Sequence, residues 1–253
     1  MMLTSLKKAK NQSLIPNFDT AKRTSLFDSL YELNSFTGVD KIANDNSVTL
    51  GIQSDIYNKL NGETNLSLNL AQKFYFENEM LGSDGNFTET TISKRGYSDI
   101  SAVFKLLVDK FSLVNQLIVD PSTNKISSSF SNLKYNDNNN NIVSLSFIND
   151  NNKEFIQIYG NKFISSDKHF FWNINKNLTD NSFDRLTLGI AKEDCCLAYR
   201  FGLFRKKLSN GIYGFERAFE LVFKGLSSTT PSLRKQIESE IPEYLVNLED
   251  YKE

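Results

Sequence analysis

The feature that most constrains the fold of this chain is a regular alternation of mostly apolar and mostly polar side chains along residues 64–77. Successive side chains of a β-strand point to opposite faces, so this segment predicts a strand with one apolar and one polar face. The even positions are Leu66, Leu68, Leu70, Gln72, Phe74 and Phe76, and the odd positions are Asn65, Ser67, Asn69, Ala71, Lys73 and Tyr75. Residues 98–109 repeat the pattern with Ile100, Ala102, Phe104, Leu106 and Val108 on one face.

Turn-forming sequences separate the alternating segments and predict a chain of hairpins. Asn61-Gly62 and Asn210-Gly211 are the strongest signals, because both residues tolerate the positive φ of a type I′ turn. Other Asn- and Asp-rich turns lie at 120–124, 136–141 and 149–152. Further strands are expected at 154–160, 168–176, 183–193, 195–206 and 213–224. The sequence therefore predicts an all-β, antiparallel fold of about eleven strands.

Strand length favours a membrane protein without excluding a soluble one. Strands of soluble proteins are commonly ~5–6 residues long, whereas a strand that crosses an outer membrane at a tilt needs ~9–11 residues. Many of the predicted strands reach the longer range. A soluble β-sandwich, such as a carbohydrate-binding module, also alternates because one face packs on a core. Strand length and alternation therefore leave both hypotheses open, a membrane barrel and a soluble β-sandwich.

Composition and motifs exclude several other classes of protein. The 29 basic and 30 acidic residues give a net charge of -1, so there is no overall positive field for binding nucleic acid. One histidine excludes a multi-histidine metal site, and no nucleophile, phosphate-binding or metalloprotease motif is present. We predict no enzyme activity and no cofactor, and we interpret His169 as a packed residue. No segment approaches the ~18 apolar residues of a membrane helix, and the N-terminus has no signal-peptide core.

Cys195 and Cys196 are the only cysteines and are adjacent in the sequence. Neighbouring residues of a strand point to opposite faces, so a disulfide between them would be strained. If they are oxidised, each pairs with a cysteine outside this chain, which requires an oxidising compartment such as the periplasm. The alternative is two reduced thiols without a special role.

The surrounding residues resemble a known family. The stretch EDCCLAYRFGLFRKK, the run from Phe219 to Ser228 ending in KGLSS, and IPEY at 241–244 resemble the C-terminal part of the LPS-assembly outer-membrane protein LptD (OstA) family. Leu26-Phe27, the NSFTGVD segment at 34–40 and the strand SLNLAQKFYF resemble its upstream region. The resemblance covers about residues 15–245, and the order and spacing of the motifs agree as well as the residue types.

The resemblance implies a segment of a Gram-negative outer-membrane β-barrel that inserts lipopolysaccharide (LPS) into the outer leaflet through a lateral opening. The implied partners are LPS, membrane lipid, a lipoprotein plug similar to LptE and a periplasmic LPS bridge similar to LptA. Because family members have an N-terminal domain and a barrel of about two dozen strands, we expect this chain to be a C-terminal fragment. Another outer-membrane barrel, such as a porin-like channel, is the alternative within the same fold class.

The resemblance also implies roles for particular residues. Cys195 and Cys196 match the family's cysteine pair, which bonds to cysteines of the N-terminal domain. The last strand would form one side of the lateral opening, with an outward row made of Phe215, Arg217, Phe219, Leu221 and Phe223. We expect a polar lead-in at 1–23, a barrel portion at 24–225 and a tail at 226–253. Within the tail, SLRKQIESEI predicts a short helix, expected to be solvated after the last strand.

Overall fold

The computed structural model describes residues 1–6, 26–34, 36–37, 45–60, 62–76, 96–137, 141–150, 153–194, 196–208, 210–223, 232–241 and 244. The chain divides into two compact units. Unit 1 comprises residues 1–106 and 114–129, and unit 2 comprises residues 107–113 and 130–253.

The described residues form strands almost throughout. The strands are β1 (Met2–Leu6), β2 (Asp45–Tyr57), β3 (Thr64–Tyr75), β4 (Ile100–Val108), β5 (Phe111–Asp120), β6 (Lys125–Asn136), β7 (Ile142–Asp150), β8 (Lys153–Ser165), β9 (Lys168–Asn177), β10 (Ser182–Glu193), β11 (Leu197–Lys207) and β12 (Tyr213–Phe223). The helices are α1 (Phe27–Leu30) and α2 (Ser232–Glu240). Apart from β1, every strand is 9 to 13 residues long.

The strands follow sequence order in one antiparallel sheet, with each strand hydrogen-bonded to its neighbours in the sequence. This confirms the predicted all-β, antiparallel class with a short C-terminal helix, and it is consistent with a segment of a β-barrel. Twelve strands are present among the described residues, where about eleven were predicted for the chain. The additional strand is β1, which pairs with β2 from Met2↔Thr49 to Leu6↔Asp45 and lies within the segment expected to be a polar lead-in.

The hairpin predicted at Asn210-Gly211 is present between β11 and β12, but its turn type differs from the prediction. Gly211 has a φ of 79°, whereas Asn210 is not among the described non-glycine residues with positive φ. A type I′ turn needs positive φ at both central residues. The chain instead forms a longer loop, in which Leu208 N donates to Ile212 O at 2.8 Å and Ile212 N donates to Asn210 Oδ1 at 3.1 Å. The hairpin predicted at Asn61-Gly62 joins β2 and β3, and Asn61 lies outside the described residues.

In unit 1 the polar face of the sheet is buried and the apolar face is exposed. On β3, Ser67 and Lys73 are 7% and 3% exposed, whereas Leu68 and Leu70 on the other face are each 47% exposed. Lys73 forms a buried ion pair with Asp45 on the polar face. The five side chains that a β-sandwich would bury are all exposed or only half-buried; they are Leu66, Leu68, Phe74, Phe104 and Leu106.

The segment around α1 covers part of this polar face. Leu30 is buried, and its carbonyl accepts a hydrogen bond from the hydroxyl of Thr49 on β2 at 2.9 Å. Gly51 leaves room for Tyr31, because a Cβ atom at Gly51 would lie 1.9 Å from the Tyr31 hydroxyl oxygen. The short helix or structured loop predicted in this region is therefore packed on the sheet.

Unit 2 also has a buried polar face and an exposed apolar face, and these extend over more strands. Its polar face is defined here by the buried side chains of β8–β11, which are Asn161, His169, Asn173, Thr187 and Arg200. Its apolar face is defined by the exposed side chains of β8–β12, which are Ile158, Ile190, Phe201, Leu203, Phe215, Phe219, Leu221 and Phe223. A water-soluble sheet buries its apolar face, so this distribution is the reverse of the one that a soluble β-sandwich requires.

Candidate functional site on the polar face and last strand of unit 2

The last strand, β12, carries the row of side chains predicted to flank the opening. Phe215, Phe219, Leu221 and Phe223 are 77%, 67%, 46% and 55% exposed on the apolar face, and Arg217 is exposed among them. The register with β11 is continuous from Leu197↔Phe223 to Lys207↔Tyr213. β12 is the last strand in the order of the sheet, so within the described residues it has a neighbouring strand on one side only.

A buried ion cluster joins the last three strands on the polar face. The Arg200 guanidinium on β11 contacts Glu193 Oε1 on β10 and Glu220 Oε2 on β12, both at 2.6 Å. Its Nε also donates to Glu193 Oε1 at 3.0 Å. Burial strengthens hydrogen bonds between charged groups but makes the loss of one partner costly. The cluster therefore ties β12 to β10 and β11.

A patch of apolar side chains interrupts the polar face and binds the C-terminal helix. Phe171, Ala191 and Phe204 from three strands form one buried cluster with four residues of the tail, which are Leu233, Ile237, Ile241 and Tyr244. The helix expected to be solvated is thus packed on the sheet, and that expectation is wrong. The signal for docking is present in the sequence, because Leu233, Ile237 and Ile241 are spaced by four residues and share one side of a helix.

Two paired glycines make the patch flat enough for the helix. Gly189 on β10 and Gly202 on β11 are direct partners in the sheet. A Cβ atom at Gly189 would lie 2.1 Å from Phe171 Cζ, and one at Gly202 would lie 2.5 Å from Phe204 Cε2. The two phenylalanine rings occupy the space that these glycines leave, and α2 packs above them.

Polar contacts fix the position of the tail on the sheet. Asn173 Nδ2 donates to the Glu240 carbonyl oxygen at 2.7 Å, and Arg185 Nη1 lies 3.1 Å from Glu240 Oε2. The Tyr244 hydroxyl shares a 2.6 Å hydrogen bond with His169 Nε2. Burial raises the pKa of Tyr244 well above its usual range, so the phenol stays protonated. His169 is buried, which agrees with its predicted role as a packed residue.

The predicted cysteine site lies at the turn between β10 and β11. Cys195 lies outside the described residues, and Cys196 is exposed. Asp194 Oδ1 accepts hydrogen bonds from the backbone of Leu197 at 2.8 Å and of Cys196 at 3.1 Å, and these bonds lower the pKa of Asp194. Lys192 Nζ lies 3.6 Å from Asp167 and 3.7 Å from Asp194, so it links this turn to the β8–β9 turn.

An open cavity of about 550 Å³ lies toward the other end of the polar face. Its lining includes Lys153, Asn175, Arg185, Lys206 and Lys207. Lys207 Nζ is 3.0 Å from Ser182 Oγ and 4.0 Å from carboxylates of Asp180 and Asp184, so part of this positive charge is balanced locally. The cavity is therefore lined by ammonium, guanidinium, amide and carboxylate groups, all of which form hydrogen bonds with polar ligands.

Neither a metal site nor a membrane-spanning helix is found in the described part of the chain. Among the residues that the structure describes, no cluster of three or more His, Cys, Asp or Glu side chains is arranged to hold a metal ion. In the same residues, no helix combines the length and the apolar character needed to span a membrane.

Comparison with known proteins decides the family. The family model described as LptD, LPS transport system D, matches residues 5–178. This chain belongs to the LptD family. The resemblance noted from the sequence motifs is therefore confirmed, and the names of the relatives describe transport and assembly proteins and not enzymes.

Relatives in the family are similar over most of this chain. The LPS-assembly protein LptD of Coxiella burnetii is 25% identical over 249 residues, which cover 87% of this chain and 28% of the relative. The LPS-assembly protein LptD of Escherichia coli O1:K1 is 24% identical over 251 residues, covering 87% of this chain and 31% of the relative. That of Neisseria meningitidis serogroup A is 35% identical over 78 residues. The chain thus spans less than a third of the length of the first and second of these relatives.

Proposed function

We propose that this LptD-family chain is part of an outer-membrane β-barrel that inserts LPS into the outer leaflet. One observation carries the proposal: long antiparallel strands expose rows of Leu, Ile and Phe and bury Asn, Ser, Thr and charged side chains. A sheet of this kind is stable when lipid surrounds its apolar face and water or other protein covers its polar face. The names of the family and of its members indicate LPS as the ligand class.

The polar face of unit 2 supports a path for the saccharide part of LPS. Its cavity is lined by amide, lysine and arginine side chains, which form hydrogen bonds with sugar hydroxyl and phosphate groups. A lipoprotein plug similar to LptE and a periplasmic bridge similar to LptA are proposed as protein partners. Both are proposed from the family resemblance.

The lipid part would leave by a lateral opening at β12. Its outward row of Phe215, Arg217, Phe219, Leu221 and Phe223 would flank the acyl chains as they enter the membrane. β12 supports this role because it ends the strand order and exposes this row on the apolar face.

Cys195 and Cys196 would bond to cysteines outside this chain during maturation. Two features support this role: Cys196 is exposed, and Asp194 fixes the backbone of the turn that carries it. An exposed cysteine on a defined turn is accessible to thiol–disulfide exchange. The proposal places this turn on the periplasmic side of the membrane.

Depletion of the chain from growing cells tests the proposed function. We expect LPS at the cell surface, measured by labelling intact cells, to fall as the chain is lost, while the chain itself fractionates with the outer membrane. If the chain were a porin-like channel, its depletion would instead reduce the uptake of small solutes and leave surface LPS unchanged. Recovery of the chain in the soluble fraction would contradict both membrane functions and favour a soluble binding module.

A further inference from the structure

Two arginines stand out on the apolar face of the last two strands. The row of side chains that contains Arg217 continues across the neighbouring strands through Leu203, Leu188 and Trp172. The adjacent row contains Arg205, with Phe215 on one side and Leu186 on the other. A positive charge among such side chains is costly in a hydrocarbon environment unless an anion compensates it.

No carboxylate compensates these charges in the described part of the chain. Arg217 forms no ion pair or hydrogen bond with the residues that the structure describes, and the strand position opposite it is Leu203. The Arg205 guanidinium lies 3.9 Å from the centre of the Tyr213 ring and 5.7 Å from that of Phe215. Its Nε is buried and has no hydrogen-bond partner within the same residues. Both guanidinium groups therefore have donors available for an anionic ligand.

The two side chains are placed to act on one ligand. Arg205 is opposite Phe215, and Arg217 is two residues further along β12 on the same face, which is about 6.8 Å along the strand. A long side chain on a lipid-facing strand extends toward the polar membrane boundary. If the Arg217 side chain extends toward the β11–β12 loop, its guanidinium reaches the level of Arg205. The contacts of Arg205 with the Tyr213 and Phe215 rings hold the Arg205 guanidinium near the same loop.

We propose that Arg205 and Arg217 bind the phosphate of an anionic membrane lipid against the outer surface of β11 and β12. The argument rests on the proposed membrane location of this sheet. The planar fork of arginine forms paired hydrogen bonds with phosphate oxygens, and two guanidinium groups at diagonal positions repel each other less when an anion lies between them. The acyl chains of the same lipid lie along the apolar rows of β9–β12, so headgroup and tails are bound together.

Native mass spectrometry of the 253-residue chain tests the site. The chain is isolated from membranes in mild detergent with the chains that accompany it, and phosphatidylglycerol or phosphatidylcholine is titrated. We expect R205Q and R217Q each to weaken phosphatidylglycerol binding about tenfold, because each removes charge-assisted hydrogen bonds. Arg217→Lys should retain part of the affinity, since lysine keeps the charge without the fork. The matched control is Lys162→Gln, which removes a cation from the apolar face of β8.

Several outcomes overturn the site. These are unchanged phosphatidylglycerol binding in both arginine variants, equal loss in the Lys162→Gln control, equal binding of phosphatidylcholine, or displacement of the lipid by inorganic phosphate alone. Heat-modifiable gel mobility is scored for every variant, and Arg217→Lys supplies the comparison if a glutamine variant does not fold. If the chain integrates into membranes but does not show this lipid selectivity, the proposed site is wrong and the proposed function still stands. A chain that does not integrate overturns both.

Discussion

Replacing Ile237 with alanine should release the C-terminal helix from the sheet. Ile237 is 0% exposed in the cluster formed by α2 and the apolar patch. Truncation of a buried isoleucine to alanine costs about 2–5 kcal/mol. Each 1.4 kcal/mol changes an equilibrium about tenfold, so the undocked fraction of α2 should rise about 30-fold or more.

Limited trypsin digestion measures this change directly. Arg234 and Lys235 lie on α2, so cleavage after them requires the helix to leave the sheet and unfold locally. When opening and closing are fast relative to cleavage, the cleavage rate follows the population of the open form. We expect the Ile237→Ala variant to be cut after these residues at least about 30-fold faster than the unmodified chain.

The matched control is Ser239→Ala, which changes an exposed residue of the same helix. Its cleavage rate should remain close to that of the unmodified chain. If the unmodified chain is cut after Arg234 and Lys235 as fast as the Ile237→Ala variant, then α2 is not docked on the sheet and the argument from the buried cluster is refuted.

Three other predictions address the apolar face, the ion cluster and the cysteines. Trp172 is the single tryptophan and lies on the apolar face. Lipids with brominated acyl chains should therefore quench its fluorescence, and iodide in the aqueous phase should not. Quenching by iodide and not by brominated lipid would indicate a soluble protein. Arg200→Met leaves the Glu193 and Glu220 side chains, which are 9% and 11% exposed, without their buried cation, so it should lower the free energy of unfolding in urea by about 3–5 kcal/mol. Adding Glu193→Gln and Glu220→Gln should restore most of that loss. Cys195→Ser with Cys196→Ser in a complete homologous chain should slow maturation, seen as a smaller fraction with the heat-modifiable mobility of a folded barrel, and unchanged assembly would exclude the disulfide role.

The sequence predicted the strands because they depend on a local pattern. A two-residue period such as that of residues 64–77 needs no knowledge of partners, and the strands expected at 168–176 and 183–193 agree closely with β9 and β10. It also predicted the exposed row of β12, since alternation fixes which residues share a face. The turn at Asn210-Gly211 is not type I′ because an Asn-Gly pair fits more than one loop, and among the described residues 208 and 210–212 only the glycine has a positive φ.

The contacts of the tail depend on residues far apart in the sequence, and the local pattern does not reveal them. The apolar cluster joins Phe171 to Tyr244, and the ion cluster joins Glu193 to Glu220 through Arg200. The local sequence around each of these residues predicts only a position in a strand or helix. Only the register of β9–β12 brings Gly189 beside Gly202 and creates the flat surface on which α2 packs.

If β12 flanks a lateral opening, as proposed, its contacts favour opening on one side. Separation of β12 from β11 would break roughly ten backbone hydrogen bonds, a net cost of about 5–15 kcal/mol. It would also break the Arg200–Glu220 ion pair and the contact of Ala218 with the cluster that includes α2. The side of β12 that faces away from β11 carries none of these described contacts. We therefore expect β9–β12 and α2 to remain one piece during the proposed lateral opening.

A disulfide staple between β11 and β12 tests this expectation. Phe201 and Phe219 are direct partners, and paired positions in an antiparallel sheet lie within disulfide distance. A chain with Phe201→Cys and Phe219→Cys should deliver LPS to the cell surface equally well when the staple is oxidised and when it is reduced. The reduced form of the same variant is the control, because it contains the same two substitutions. Arrest of LPS delivery on oxidation, reversed by a reductant, would show that β11 and β12 separate and would place the opening between them.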